Sequence, residues 1–454
     1  MVMATHRLEV TNSRKAGSAA SVRAGHAAAG VGAGISVSGA DVQRTVLPNG
    51  LTVLSDNVPG VRSVAFGAWV RAATLHENAE KMGISHMLEH MVFKGTETRS
   101  SKDISLALET LGGSLDAYTA REHTSYQARV LDEHLRDAAD VIGDLMFHPT
   151  LRDADLKLER KVVLEEIAMV DDTPDDLVFE VHNERLFGAN GYGFRILGTR
   201  ETVSSFTTDD LRSLHSAAYR PQNIVVAAAG SVDHDDLVSI LTDTGWMEMA
   251  GAAGGDFAAS SASFQAPSYT HVERPGAQTQ LVFGSSAPAH SDPRRYAFCL
   301  VSMLLGGGMS SRLFQHVREE LGLAYAVHTF SSFYSRAGMH GVYVGTSPES
   351  ANEAAGAVLA ELARIADKGI PTDELAAGKQ QLKGQITLSL ETPSARMYRA
   401  AGLELYGEPF RSLDEMLSMV DAIDEQTVSE VCAACFAPSQ QTVVSLGPAP
   451  LTIL

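Results

Sequence analysis

The first clear change of pattern along the chain is a hairpin. Arg44-Thr45-Val46-Leu47 runs into Pro48-Asn49-Gly50, and Leu51-Thr52-Val53-Leu54 leaves it as the return strand. Residues 61–70 (VRSVAFGAWV) predict a strand, with Gly67 marking a bulge or a close approach. The period then becomes helical: Ile84, Met87, Leu88, Met91, Val92 and Phe93 recur as the core side of one helix. A further helix is expected from a cap at Ser101 or Asp103 to about Leu111. Gly112-Gly113 ends it and is expected to open one long strand over residues 114–130 (SLDAYTAREHTSYQARV). Helices follow from about Glu133 to Met146, from about Arg152 to Val170, and from a cap near Thr208, before a strand at residues 224–229 that ends at Gly230.

The second half repeats this plan. Residues 278–285 match the strand around Val64, and residues 294–305 form a helix at the place of the first one. Residues 321–333 echo the strand after Gly113, and residues 338–345 pair with it. A duplication offset of roughly 210 residues implies two similar domains rather than a solenoid of small repeats. The expected fold is therefore α+β: two internally duplicated α/β-roll domains, each a largely antiparallel sheet flanked by helices. We place the domains at residues 42–248 and 269–454, joined by a linker at 249–268 that is rich in Ala, Gly and Ser. Residues 1–40 carry four Lys and Arg residues against Glu9, and residues 1–41 read as a flexible arm, with a composition that also resembles an organelle transit peptide.

Charge narrows the partners. A net charge of −19 argues against nucleic acid and suits basic peptides, although solubility alone accounts for it. No apolar run reaches the ~18–20 residues a membrane helix needs. Three cysteines make no disulfide framework, and Cys432-x-x-Cys435 in an expected helix reads as packing. A bacterial cytoplasmic location is expected, or the mitochondrial matrix in a eukaryote.

The candidate chemistry lies in the first helix. His86 and His90 stand at i and i+4, so a helix puts both imidazoles on one face about 6 Å apart along its axis. Both ring nitrogens can then reach one metal ion, and Glu89 stands beside it, where a carboxylate can take a proton from metal-bound water. The pattern H-x-x-E-H is a metallopeptidase signature, although a histidine pair on an apolar helix is more often plain packing. A catalytic metal needs a third protein ligand. The helix at residues 155–170 offers Glu159, Glu165 and Glu166; Glu159 and Glu166 lie two turns apart on one stripe, while all three facing water remains open.

The segment from His86 to Thr96 (HMLEHMVFKGT), with Glu166 76 residues after His90, resembles the pitrilysin/insulinase family of zinc metallopeptidases. The likeness is to the short branch that includes the mitochondrial processing peptidase β subunit and its bacterial relatives. It spans roughly residues 42–450 and extends to Gly112-Gly113, Leu197-Gly198-Thr199 and residues 306–314 (GGGMSSRLF). The resemblance implies one Zn2+ held by His86, His90 and Glu166, with Glu89 as the base and Glu159 orienting the site. It implies that Arg318 and Tyr325 stabilise the oxyanion, and that peptides add as a strand beside Asp116, Ala117 and Tyr118. It also implies a clamshell of four domains, hence a homodimer or a heterodimer with a paralogue, enclosing an acidic chamber. The expected function is a zinc endopeptidase acting on extended segments. The alternative is a non-catalytic scaffold or partner subunit of a processing-peptidase-like complex. Where relatives often carry His-Pro-Leu-Gly-Arg-Pro, this chain reads Asn190-Gly191-Tyr192-Gly193-Phe194-Arg195.

Overall fold

The computed structural model describes residues 37–38, 42–249 and 259–453. Most of the expected arm (1–36 and 39–41) and residues 250–258 of the expected linker lie outside the described residues. Seven strands form the first sheet: β1 (Val37–Ser38), β2 (Val42–Val46), β3 (Thr52–Asn57), β4 (Ser63–Val70), β5 (Ser114–Thr119), β6 (Thr124–Leu131) and β7 (Ile224–Gly230). Five form the second: β8 (Tyr269–Glu273), β9 (Thr279–Ala287), β10 (Ala324–Phe333), β11 (Gly338–Thr346) and β12 (Thr442–Gly447).

The sheets have one topology. The first runs β1-β2-β3-β7-β4-β6-β5 and the second β10-β11-β9-β12-β8, so β3-β7-β4-β6-β5 repeats as β8-β12-β9-β11-β10. Each contains a single parallel pair at the same place, β3 with β7 and β8 with β12. Starting residues of equivalent strands differ by 210 for β5 and β10 (324 − 114) and by 218 for β7 and β12 (442 − 224). The duplication and the antiparallel-rich α+β architecture are as expected.

Two local expectations change. The long strand at 114–130 is a hairpin, β5 and β6, reversed at Ala120–His123, where the Ala120 amide donates to the His123 carbonyl at 2.9 Å. The run Thr119-Ala120-Arg121-Glu122-His123-Thr124 offers no large apolar side chain to hold a strand against the core, and the chain turns there. Gly67 is a close approach and not a bulge: its register with β6 and β7 is unbroken, and a Cβ would meet the Trp69 ring at 2.8 Å.

The helices of the first half are α1 (Ile84–Val92), α2 (Ser101–Glu109), α3 (Leu135–Phe147), α4 (Asp153–Asp172), α5 (Pro174–Phe187), α6 (Arg200–Ser205), α7 (Thr208–Ala218) and α8 (His234–Asp243). The second half has α9 (Arg295–Gly306), α10 (Ala351–Lys368), α11 (Thr372–Ser389), α12 (Pro393–Tyr406), α13 (Leu413–Asp421) and α14 (Glu425–Phe436). One face of the first sheet packs Val64, Phe66 and Tyr126 against Met87, Leu88 and Met91 of α1 in the larger core.

The opposite faces are covered by exchange. Leu54, Ala65, Trp69 and Val225 pack against Met397, Ala400 and Ala401 of α12, from the second half. Val282, Tyr343 and Val444 of the second sheet pack against Leu177, Val178 and Val181 of α5, from the first half. Arg396 of α12 donates to Asp56 at 2.8 and 2.7 Å, and Asp56 is fully buried. Cys432 and Cys435 sit in the second core, where burial pushes their thiols up to about 12 and about 11, as packing residues.

Candidate metal centre

Helix α1 is fixed at its start by contacts the periodicity does not reveal. Gly83 takes φ +88° and faces Gly198 at φ +78°; a Cβ on Gly83 would meet the Gly198 Cα at 2.6 Å. This contact explains the Leu197-Gly198-Thr199 block, which docks against the helix start, with Thr202 Oγ1 donating to the Met82 carbonyl at 2.8 Å. Glu77 accepts from the Gly83 and Ser85 amides at 2.8 Å each, using two amides that the first turn leaves free. Burial pushes the Glu77 carboxyl up to about 7, against those two hydrogen bonds.

The helix then presents His86 and His90 together, their ring centroids 4.5 Å apart. Helix α4 packs across α1 and brings Glu166 to them: its Oε2 lies 3.8 Å from His86 Nε2 and 3.6 Å from His90 Nε2. One donor atom from each of the three lies within 4.8 Å of the others. Three such atoms converging on a common point fit a tetrahedral ion with one place left for solvent. Burial first, then the neighbouring His90, pushes His86 down to about 3, so the imidazole stays neutral and keeps a lone pair to donate.

Glu159, two turns before Glu166 on the same helix, is 5% exposed and accepts from His90 Nδ1 at 3.1 Å. With Nδ1 donating there, Nε2 of His90 is free to bind metal. The charge of Glu159 is balanced by Lys94, whose Nζ lies 2.5 Å from the other carboxylate oxygen. Glu165, the third glutamate of this helix, is not part of the cluster. His86 Nδ1 is buried without a hydrogen-bond partner among the described residues, so Glu159 steadies one imidazole only.

Glu89 points into a cleft of about 410 Å³ together with His86, Ala117, Tyr118 and Thr119. Burial pushes its carboxyl up, opposed by a 2.5 Å hydrogen bond from Thr119 Oγ1. Ala117 and Thr119 share one face of β5, and Asp116 and Tyr118 the other; Asp116 is exposed and does not line the cleft. The far end of the cleft carries Glu180 and an Asp171–Arg195 pair at 3.1 Å, none of which the sequence singles out as site residues.

Arg318 and Tyr325 are together but elsewhere. Arg318 lies in a π-helical turn, Phe314–Glu320, its guanidinium 4.6 Å from the Phe314 ring centroid and 5.0 Å from that of Tyr325. Tyr325 stands on the edge strand β10 and is 79% exposed. Neither residue lines the cleft at the histidines.

Residues 52–200 match the family model described as "Insulinase (Peptidase family M16)", and residues 205–382 match that of the "Peptidase M16 inactive domain". The chain belongs to the insulinase family, peptidase family M16. An uncharacterized zinc protease of Streptomyces coelicolor is 37% identical over 400 residues, covering 86% of each chain. The zinc protease YmxG of Bacillus subtilis is 36% identical over 87% of this chain and 96% of its own. One from Mycobacterium leprae is 38% identical over 87% of this chain and 88% of its own. Two solved structures share the fold at TM-score 0.83 and 20% identity, covering 90% of this chain. They are a peptidase M16 inactive domain from Pseudomonas fluorescens and a protease from Helicobacter pylori.

As a member of this family the chain is a metallopeptidase, and its cofactor is zinc. The inactive-domain match agrees with helix α9, which stands where α1 stands in the first half and carries neither histidine nor glutamate. Among the described residues, no helix is long and apolar enough to cross a membrane.

Proposed function

We propose that the chain is an endopeptidase for extended, preferentially basic peptide segments, with His86, His90 and Glu166 as the zinc ligands. The convergence of those three donors beside Glu89, next to the outermost described strand of the sheet, is the observation that carries the proposal. Bound zinc supplies a Lewis acid that lowers the pKa of a water and polarises a carbonyl. Glu89 takes the proton from the attacking water and passes it to the departing amine. Glu159 keeps His90 in the tautomer that leaves Nε2 free, and Lys94 balances Glu159.

A substrate main chain adds to the outer edge of β5, the last strand of its sheet, beside Ala117 and Tyr118. Backbone pairing of this kind demands no particular sequence, which suits an enzyme for unfolded segments. Asp116 on the exposed side of that strand, together with Glu180 in the cleft and the net charge of −19, favours basic chains.

Residues 42–248 form the catalytic half and 269–454 the half without metal. Arg318 and Tyr325 act on the carbonyl oxygen of a peptide held at another chain's zinc, inside a chamber formed by a dimer. The bacterial origin of the relatives favours a cytoplasmic enzyme. A quenched fluorescent basic peptide tests the proposal. Cleavage is expected for the zinc-loaded chain and is lost with chelator or in Glu89→Gln; no cleavage, or cleavage undiminished in Glu89→Gln, overturns it.

A further inference from the structure

Strand β5 has two connections to the metal centre. It is the last strand of its sheet among the described residues, and the side chain of its own last residue, Thr119, reaches inward and donates from Oγ1 to Glu89 Oε2 at 2.5 Å. On the face that β5 turns toward α1, the side chains are those of Leu115, Ala117 and Thr119, so Thr119 supplies the single hydroxyl there. Thr119 and Glu89 are each 9% exposed. A carboxylate on three rotatable bonds, facing a cleft, has several orientations open to it. A short bond from a neutral hydroxyl to a carboxylate is among the stronger kinds and fixes one of them.

The hydroxyl is itself held by the sheet. Thr119 is registered opposite Thr124, whose own hydroxyl donates to the Ala72 carbonyl at 2.9 Å. The Leu75 amide donates to the Arg121 carbonyl at 2.9 Å, which fixes the turn between β5 and β6. Thr119 therefore presents its proton from a fixed point.

We infer that Thr119 is a positioning residue for Glu89: its hydroxyl occupies Oε2, so that Oε1 alone is left to face the water, and it ties the general base to the strand that receives the peptide. The inference rests on the peptidase proposal for the site. It assigns Thr119 a part in orientation and none in zinc binding, since its hydroxyl is directed at Glu89 Oε2 and the three candidate ligands are His86, His90 and Glu166. Its loss should therefore fall on kcat, with KM and zinc content little changed.

Thr119→Val keeps the β-branched shape that a strand prefers and removes only the hydroxyl; Thr119→Ser keeps the hydroxyl and removes the methyl. We expect Thr119→Val to lower kcat about ten- to a hundredfold, and Thr119→Ser to stay within about threefold of wild type. Both variants should hold as much zinc as wild type. Equal losses in the two variants, or an undiminished kcat in Thr119→Val, overturn the inference.

Crystal structures of the zinc-loaded variants give a second readout that does not depend on turnover. The Glu89 carboxylate should leave its wild-type position in Thr119→Val and keep it in Thr119→Ser. A Glu89 unmoved in Thr119→Val overturns the inference even if the peptide assay fails, whereas wild-type inactivity toward peptides overturns the peptidase proposal alone.

Discussion

Lys94 and Glu159 show how much of this centre depends on residues that bind no metal. Glu159 is 5% exposed, and its two oxygens are taken by His90 Nδ1 and Lys94 Nζ. Replacing Lys94 by Met leaves a buried carboxylate without its cation, which disturbs the acceptor that orients His90. Zinc affinity of Lys94→Met, measured by competition with a chromogenic chelator, should fall about ten- to a hundredfold. An unchanged affinity would show that Glu159 holds His90 unaided. The spacing His86-x-x-Glu89-His90 made one helix face legible, because a local period is written in consecutive residues. Glu166 stood out only through resemblance, since Glu159 and Glu165 were equal candidates on the same helix. Lys94 stood in the resembling segment with no role attached to it, and Thr119 and Glu77 carried no signal at all. Their partners are side chains or amides brought close by packing, Lys94 and Glu159 across 65 positions of sequence and Thr119 and Glu89 across 30.

Helices α5 and α12 are the elements that make one molecule of two similar halves. Each covers the sheet of the other half, and α12 is also tied by Arg396 to Asp56 and by Arg44 to Glu404. Arg396→Met should leave the fully buried Asp56 carboxylate without its bidentate partner, at a cost of about 3–5 kcal/mol in urea unfolding. Adding Asp56→Leu to that variant should recover much of the loss; a single substitution without effect would contradict the structural role of the pair. Neither crossing could be read from the chain, because an amphipathic stripe says that a helix is covered and not which sheet covers it. The repeat, by contrast, was legible in the order of strands. The one mistaken strand, at residues 114–130, came from counting polar residues as an exposed face where they formed a turn.

At the scale of the whole molecule, several imidazoles are held neutral, His182 and His340 fully buried and His76 and His123 half-buried. Burial pushes His76, His123, His182 and His340 down to about 4. Their folded values lie below those of the open chain, so the stability they contribute is present above pH ~6.5 and lost as pH falls toward the folded values. For the fully buried His182 and His340 each corresponds to on the order of 3 kcal/mol at pH 4. The thermal midpoint should therefore drop steeply between about pH 6.5 and 4, and a flat profile there would contradict the burial of these rings.

The proposed dimer has its own test. Mixing Glu89→Gln chains with Arg318→Ala chains should restore peptide cleavage, because one site in each mixed dimer then has both residues. No recovery, in samples proven to contain mixed dimers, would place Arg318 outside the partner's reaction.

Anomalous diffraction at the zinc edge tests the convergence of His86, His90 and Glu166 most directly. One peak per chain is expected, bonded to both imidazoles and to the Glu166 carboxylate, with Glu89 beside the remaining coordination position. A peak elsewhere, or Glu166 turned away from an ion held by the histidines alone, would contradict the account.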